Sequence, residues 1–322
     1  MVSRRFLLSR LPLLAAGGVA LYAVRDRLPL APPPMVFDQG ARTGWIGLPR
    51  NAGLIEIPGA VGGHPIRVAV DSGAQFSAID RTLAERLGLR RSLALPMVAY
   101  GVSGRPNLAY MVDLDLALPG LTVRGLRAAA LDIARLSAIT GRGFNMLLGR
   151  DLLRGLVLEA DMPAGRVAFR APGAAAPPPD AEVIPLQSHG GAPVVDVSIE
   201  GAPLRLMVDT GATGAIALSE AAARKAGLLA PGRAISSAQS VSLGGLSFDR
   251  IVTARTVETA GLGLRDVTVQ IYAPSAPAMM PEGLLGIGLL RRFRFTLDLP
   301  GRRLVLLRPT PMVVGRPEEQ TS

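Results

Sequence analysis

The sequence predicts an all-β protein of two duplicated lobes, each carrying one short helix. Three observations lead there. About half of the 322 residues are hydrophobic, aromatics are few, and the 37 Gly and 27 Pro suit a turn-rich chain of short strands. Four landmarks recur in the same order at a nearly constant offset. A Pro- and Ala-dense stretch, "APGAAAPPPDAE" at 171–182, lies between the copies as a linker would.

The first landmark is "HPIRVAV" (64–70), which matches "APLRLMV" (202–208) at an offset of 138. Directly after each comes the second, "DSGA" from Asp71 and "DTGA" from Asp209, at the same offset of 138. "LLGRDLL" (147–153) and "LLGIGLL" (284–290) follow, with Gly149 and Gly286 137 apart. Asp161 and Asp298 close the series, each twelve residues beyond its Gly. Such self-similarity over half a chain is the mark of a tandem duplication. The predicted divisions are an export signal or anchor at 1–30, a Pro-rich spacer at 31–50, lobe one at 51–172, a linker at 173–182, lobe two at 183–309 and a tail at 310–322.

Within each copy the same elements are expected. The apolar, β-branched runs ending at Asp71 and Asp209 read as strands that deliver an Asp to a loop. "DRTLAERLG" (80–88) and "SEAAARKAG" (219–227) read as short helices, with Asp80 or Ser219 as N-cap and Gly88 or Gly227 as the left-handed stop. "MVDLDLAL" (111–118) and "LRDVTVQIY" (264–272) alternate as half-buried strands do. Asp113 and Asp115 fall on one face of such a strand, where a solvent-facing edge explains them without a metal.

Composition removes several chemistries. The formal charge is +10, but the Arg residues are scattered and Lys225 is the only Lys, so no basic patch for nucleic acid stands out. With no Cys there are neither disulfides nor thiolate chemistry, and the two His residues, His64 and His189, sit in turn-like segments away from any G-x-S-x-G turn. No metal or other cofactor is expected.

The N-terminus looks like an address. Arg4, Arg5 and Arg10 precede an apolar stretch from Leu11 to Val24, and "SRRFLL" (3–8) resembles a loosened twin-arginine export motif. Fourteen residues reach only about 21 Å, short of a hydrocarbon core of about 30 Å. The segment therefore reads as a cleaved signal or a retained N-terminal membrane anchor, with the folded part in the periplasm or cell envelope.

One Asp in a turn is ordinary. Two in register halves are not, because lobes packed about a pseudo-twofold axis bring equivalent residues face to face. Asp71 and Asp209 would then share one proton, one acting as base on a water and the other as acid toward a carbonyl. Ser72 and Thr210 could bond across the axis, and Gly73 and Gly211 would let backbone N–H groups approach the carboxylates.

With these motifs in place, the chain resembles the retropepsin-like aspartic proteases, in which D-[ST]-G-A follows an apolar strand and an apolar-apolar-Gly segment comes later in the same half. Retroviral members pair two copies of one motif; pepsin-like members fuse two in one chain, as here. The resemblance covers residues 51–309 and implies the bilobal acid-protease fold, barrel-like lobes, Asp71 and Asp209 as catalytic residues, and extended polypeptide substrates cut by a monomeric endopeptidase. A catalytically inactive peptide-binding module of the same fold is the alternative. The family's hairpin flap would fall at 99–105 or 242–247, with Tyr100, Gly101, Gly104, Gly244 and Gly245 as flap or substrate residues. Ala74 and Ala212 stand where pepsin-like enzymes have a hydroxyl residue, so fewer donors reach the carboxylates and the expected pH optimum is mildly acidic to neutral.

Overall fold

The computed structural model describes residues 19–20, 31–50, 53–92, 97–101, 106–133, 137, 143–173, 176–242, 245–259, 262–272 and 281–307. They form three sheets, two of which close on themselves as barrels, one per lobe. In lobe one the strands Pro106–Leu118, Glu56–Val61, His64–Val70, Met146–Leu148, Ala78–Asp80 and Leu121–Leu131 succeed one another around the barrel, and Pro106–Leu118 pairs again with Leu121–Leu131 to close it. Lobe two repeats the circuit with Ala192–Ile199, Ala202–Asp209, Gly283–Gly286, Ile216–Ser219, Leu262–Tyr272 and Gly245–Thr259, closed by the contact of the last with the first. Closure removes most sheet edges and lets alternate residues fill the interior.

The repeated apolar-apolar-Gly segments explain their own composition. Met146–Leu148 is inserted between His64–Val70, parallel to it, and Ala78–Asp80, antiparallel to it. Gly283–Gly286 is inserted in the same way in lobe two. Flanked on both sides, these strands are wholly buried. Gly149 closes the first, and a Cβ there would come within 2.5 Å of the Phe76 carbonyl carbon, so only glycine allows the approach. Each segment then turns into a single helical turn, Arg150–Leu153 or Ile287–Leu290.

The predicted helices form at Arg81–Arg86 and Glu220–Lys225. Asp80 Oδ1 accepts from the Leu83 N–H at 3.1 Å and Ser219 Oγ from the Ala222 N–H at 3.2 Å, while Gly88 and Gly227 take φ of +61° and +66°. The alternating strands form as well, as parts of Pro106–Leu118 and Leu262–Tyr272. Asp113 pairs with Arg90 and Arg127, and Asp115 with Arg124, which accounts for both carboxylates.

The third sheet belongs to both lobes. Its order is Glu182–Pro185, Arg303–Leu307, Arg294–Asp298, Val157–Asp161, Arg166–Arg170, Ile46–Gly47. At its centre Val157 faces Asp298, Glu159 faces Thr296 and Asp161 faces Arg294. Glu159 and Thr296 are 137 residues apart, the offset that separates Gly149 from Gly286, so this antiparallel pair maps onto itself under the duplication. The pseudo-twofold axis passes here.

The Pro-rich spacer expected at 31–50 is corrected: most of it is part of lobe one. Met35–Phe37 pairs with Leu121–Val123, and Ile46–Gly47 with Arg166–Val167. Trp45 lies 4.6 Å from the guanidinium groups of both Arg42 and Arg166, and Arg42 bonds Glu159 at 2.8 Å. The run of prolines stops at Pro34, and the residues beyond it have strand partners that local composition does not announce. A two-residue strand, Val19–Ala20, pairs with Tyr100 and Gly101. Among the described residues no helix is long and apolar enough to cross a membrane.

Candidate active site

Asp71 follows and Asp209 ends a strand whose last residues are fully buried, and both residues are themselves wholly inaccessible. The Asp71 N–H bonds the Leu148 carbonyl at 2.9 Å, and Asp209 lies opposite Gly286, so the apolar-apolar-Gly strands hold both loops from one side.

Across the axis the loops hold each other. The Ser72 N–H donates to Thr210 Oγ1 at 2.9 Å, and the Thr210 N–H donates to Ser72 Oγ at 3.0 Å. Each hydroxyl passes its own proton to the opposite strand, Ser72 Oγ to the Val208 carbonyl and Thr210 Oγ1 to the Val70 carbonyl, both at 2.8 Å. Four buried hydrogen bonds therefore lock the two halves at the point where the carboxyl groups sit, and each hydroxyl both donates and accepts.

The carboxyl groups receive backbone donors on their Oδ1 atoms. Gly73 N and Ala74 N reach Asp71 Oδ1 at 2.9 Å, and Gly211 N reaches Asp209 Oδ1 at 2.9 Å. The Oδ2 atoms of both are buried with no hydrogen-bond partner among the described residues. Each carboxyl lies against the loop glycine of the other lobe, Asp209 against Gly73 and Asp71 against Gly211.

The aspartyl protease family model matches residues 57–152 and again residues 195–289. The chain belongs to the aspartyl protease family. Both matches span the D-[ST]-G loop and the apolar-apolar-Gly strand of their lobe, and the two barrels with a shared sheet are the bilobal acid-protease fold. A search of curated proteins returned no match.

In this member of the aspartyl protease family the electrostatics of the pair come from burial. Desolvation, then the charge of Asp209, push Asp71 well above the ordinary carboxylate range, against the N–H groups of Ala74 and Gly73. Burial pushes Asp209 up to about 6, opposed by the Gly211 N–H, the neighbouring Asp71 and the charge of Arg150. Neither carboxyl is an easy anion, as expected for two acids sharing one dry site.

Arg150 carries no role in the motif-based reading, yet it lies beneath the loop of lobe one. It is buried, its Nη1 donates to the Gly73 carbonyl at 3.1 Å, and its backbone N–H bonds the Ala74 carbonyl at 2.9 Å. Burial and then the neighbouring Arg154 lower its pKa to about 10, which leaves it cationic at neutral pH. Its counterpart in lobe two is Ile287, so the charge is present on one side of the axis only. Asp151 beside it accepts from Ser77 N and Ser77 Oγ, both at 2.8 Å, and burial raises it to about 6. Aligning "LLGRDLL" with "LLGIGLL" exposes this asymmetry in the sequence itself.

Asp71, Asp209, Ser72, Gly73, Thr210 and Gly211 are thus brought together in one site. The flap residues are less completely placed. Met97–Gly101 pairs with Pro106–Leu118, Tyr100 opposite Pro106, and Ser236–Ser242 pairs with Gly245–Thr259, Ser242 opposite Gly245, so a hairpin stands at each expected position. Tyr100, Gly101 and Gly245 are strand residues there, while Gly104 and Gly244 lie outside the described residues. Among the described residues no group of His, Cys, Asp and Glu has the arrangement of a metal site.

Proposed function

We propose that the chain is an aspartic endopeptidase that hydrolyses peptide bonds in extended polypeptides through Asp71 and Asp209. The supporting observation is the pair itself: two buried carboxyls, each set against the loop glycine of the opposite lobe and held in a common frame by the Ser72–Thr210 lock. The ionised member takes a proton from a water as its oxygen adds to the scissile carbonyl carbon, while the protonated member donates to the carbonyl oxygen. The resulting diol collapses as a proton passes to the amide nitrogen, the C–N bond breaks, and the pair regains a single shared proton. The water-excluded setting strengthens both hydrogen bonds to the reacting carbonyl. Roles as acid and base alternate between the two residues through the cycle.

Working place and attachment belong to the same reading. The basic and apolar N-terminal segment favours export, by the twin-arginine route, to the periplasm or cell envelope, with residues 1–30 removed or kept as an anchor. The deciding experiment compares wild type with Asp71→Asn and Asp209→Asn on a denatured protein mixture, with a statine-type inhibitor as control. Cleavage that either substitution abolishes and the inhibitor blocks is the expected result. Proteolysis that survives either substitution removes the assigned pair, and binding of peptides without cleavage by wild type leaves the inactive binding module in its place.

A further inference from the structure

The outward face of the lobe-two barrel runs from the carboxyl pair to a buried polar cluster. Leu206 and Val208 enter the main core, whereas Met207 belongs to a second apolar cluster with Leu284, Ala217 and Tyr272. Strand register carries that face sideways: Met207 lies opposite Leu284, Leu284 opposite Ala217, and Ala217 opposite Gln270. Gln270 is in turn opposite Ile251, two residues beyond Asp249, so side-chain alternation puts Asp249 and Gln270 on the face that Asp209 shares. Three strand spacings separate Gln270 from the Asp209 strand, about 14 Å, which is the reach of roughly four residues of extended peptide.

Asp249, Ser240 and Gln270 are 4%, 3% and 2% exposed. Ser240 Oγ and Gln270 Nε2 both donate to Asp249 Oδ2, and Ser247 Oγ lies 2.9 Å from Ser240 Oγ. Among the described residues no cation pairs with this carboxylate. Because the Gln270 amide must turn its N–H to the carboxylate, its Oε1 is an acceptor, and it is buried without a donor. The fold does not require any of this. The same register positions in lobe one are Ala109 and Ala129: Ala129 faces Ala78 and Met111 as Gln270 faces Ala217 and Ile251, and both alanines are buried. A buried carboxylate with no cation beside it and a buried amide oxygen with no donor are costly unless a ligand supplies the missing partner.

We propose that Asp249 and Gln270, with Ser240 holding the carboxylate in place, form a subsite for the cationic side chain of a Lys or Arg two to four positions from the bond that is cut. This rests on the peptidase reading above. An ammonium or guanidinium group brings several N–H donors, enough for the Asp249 carboxylate and Gln270 Oε1 together, whereas a neutral apolar side chain of equal length leaves the carboxylate without a cation and Gln270 Oε1 without a donor.

The test is cleavage of a proteome-derived peptide library, read by mass spectrometry, with wild type and with the double variant Asp249→Ala/Gln270→Ala, which writes the alanines of lobe one into lobe two. Wild type is expected to enrich Lys and Arg at one position two to four residues from the cut, and the double variant to lose that preference at least about tenfold while preferences at other positions persist. If the double variant is unfolded by circular dichroism, Asp249→Asn, which keeps the side-chain shape and removes the charge, carries the same comparison. Absence of a basic preference in wild type, or its persistence in the folded variant, overturns the subsite. If wild type cuts nothing, the peptidase reading fails, and the subsite is then judged by fluorescence anisotropy with peptides that carry Lys or norleucine. Tighter binding of the Lys peptide that the variant loses upholds it, and equal affinity overturns it.

Discussion

Gly73 of lobe one lies directly against the carboxyl group of Asp209 in lobe two: a Cβ built on Gly73 would meet Asp209 Cγ at 2.5 Å. Gly211 stands in the same relation to Asp71, again at 2.5 Å. Gly73→Ala or Gly211→Ala must therefore displace the opposite carboxyl, and a shift of about 1 Å at a reacting group costs on the order of 10²-fold in rate. Steady-state cleavage of a reporter peptide should show a loss of that size or more in kcat/KM, with a folded far-ultraviolet spectrum retained.

The buried pair sets a pH dependence of stability with a definite sign. Asp209 is raised from 3.8 to about 6 on folding, so the folded state keeps a proton that the unfolded chain releases. Stability from this group is full below about 4, falls as pH rises toward 6, and stays reduced above it. Asp209→Asn should thus abolish cleavage and yet melt higher than wild type at pH 7, by a few °C, with the difference vanishing near pH 3. Calorimetry at the two pH values decides it.

Activity should peak at mildly acidic to neutral pH. Burial raises both carboxyls, Asp71 well above its ordinary range, so the singly protonated pair persists to higher pH than in a well-solvated site. A profile of kcat/KM with its maximum near pH 2 would contradict this.

Arg150 tempers that rise, because its charge favours the ionised form of Asp209. Arg150→Met is expected to move the pH profile upward by about one unit, and Arg150→Lys, which keeps a cation, by less. The profile separates this charge effect from a loss of packing, which lowers the whole curve without displacing it.

Thr210→Val tests the lock between the lobes. It leaves the Ser72 N–H and the Val70 carbonyl buried without partners, at a cost of about 2–5 kcal/mol. Chemical denaturation should register that loss, and Thr210→Ser, which restores the hydroxyl, should recover most of it.

What the sequence made legible was whatever each half writes locally and writes twice. The D-[ST]-G-A loops, the Asp80 and Ser219 caps and the glycine stops depend on neighbours within a few residues, so their chemistry shows in the string. Long-range pairing does not. Nothing in Met35–Phe37 or Ile46–Gly47 names Leu121–Val123 or Arg166–Val167 as partners, and Val157–Asp161 and Arg294–Asp298 look like ordinary strands until they are found side by side. Asp249 and Gln270 escaped for another reason. A polar residue in an alternating strand reads as solvent-facing, and only the comparison with Ala109 and Ala129 marks them as unusual.

The sheet through the pseudo-twofold axis ties the fate of each half to the other. Strand Val157–Asp161 has Arg294–Asp298 as its neighbour, so a chain that stops short of residue 294 ends with a bare, hydrogen-bond-hungry edge in its first half. Since that edge is matched to its own repeat, a lone half finds its natural mate in a second lone half. Severing the chain at the linker would thus leave a first half whose exposed edge a second copy of that half can cover.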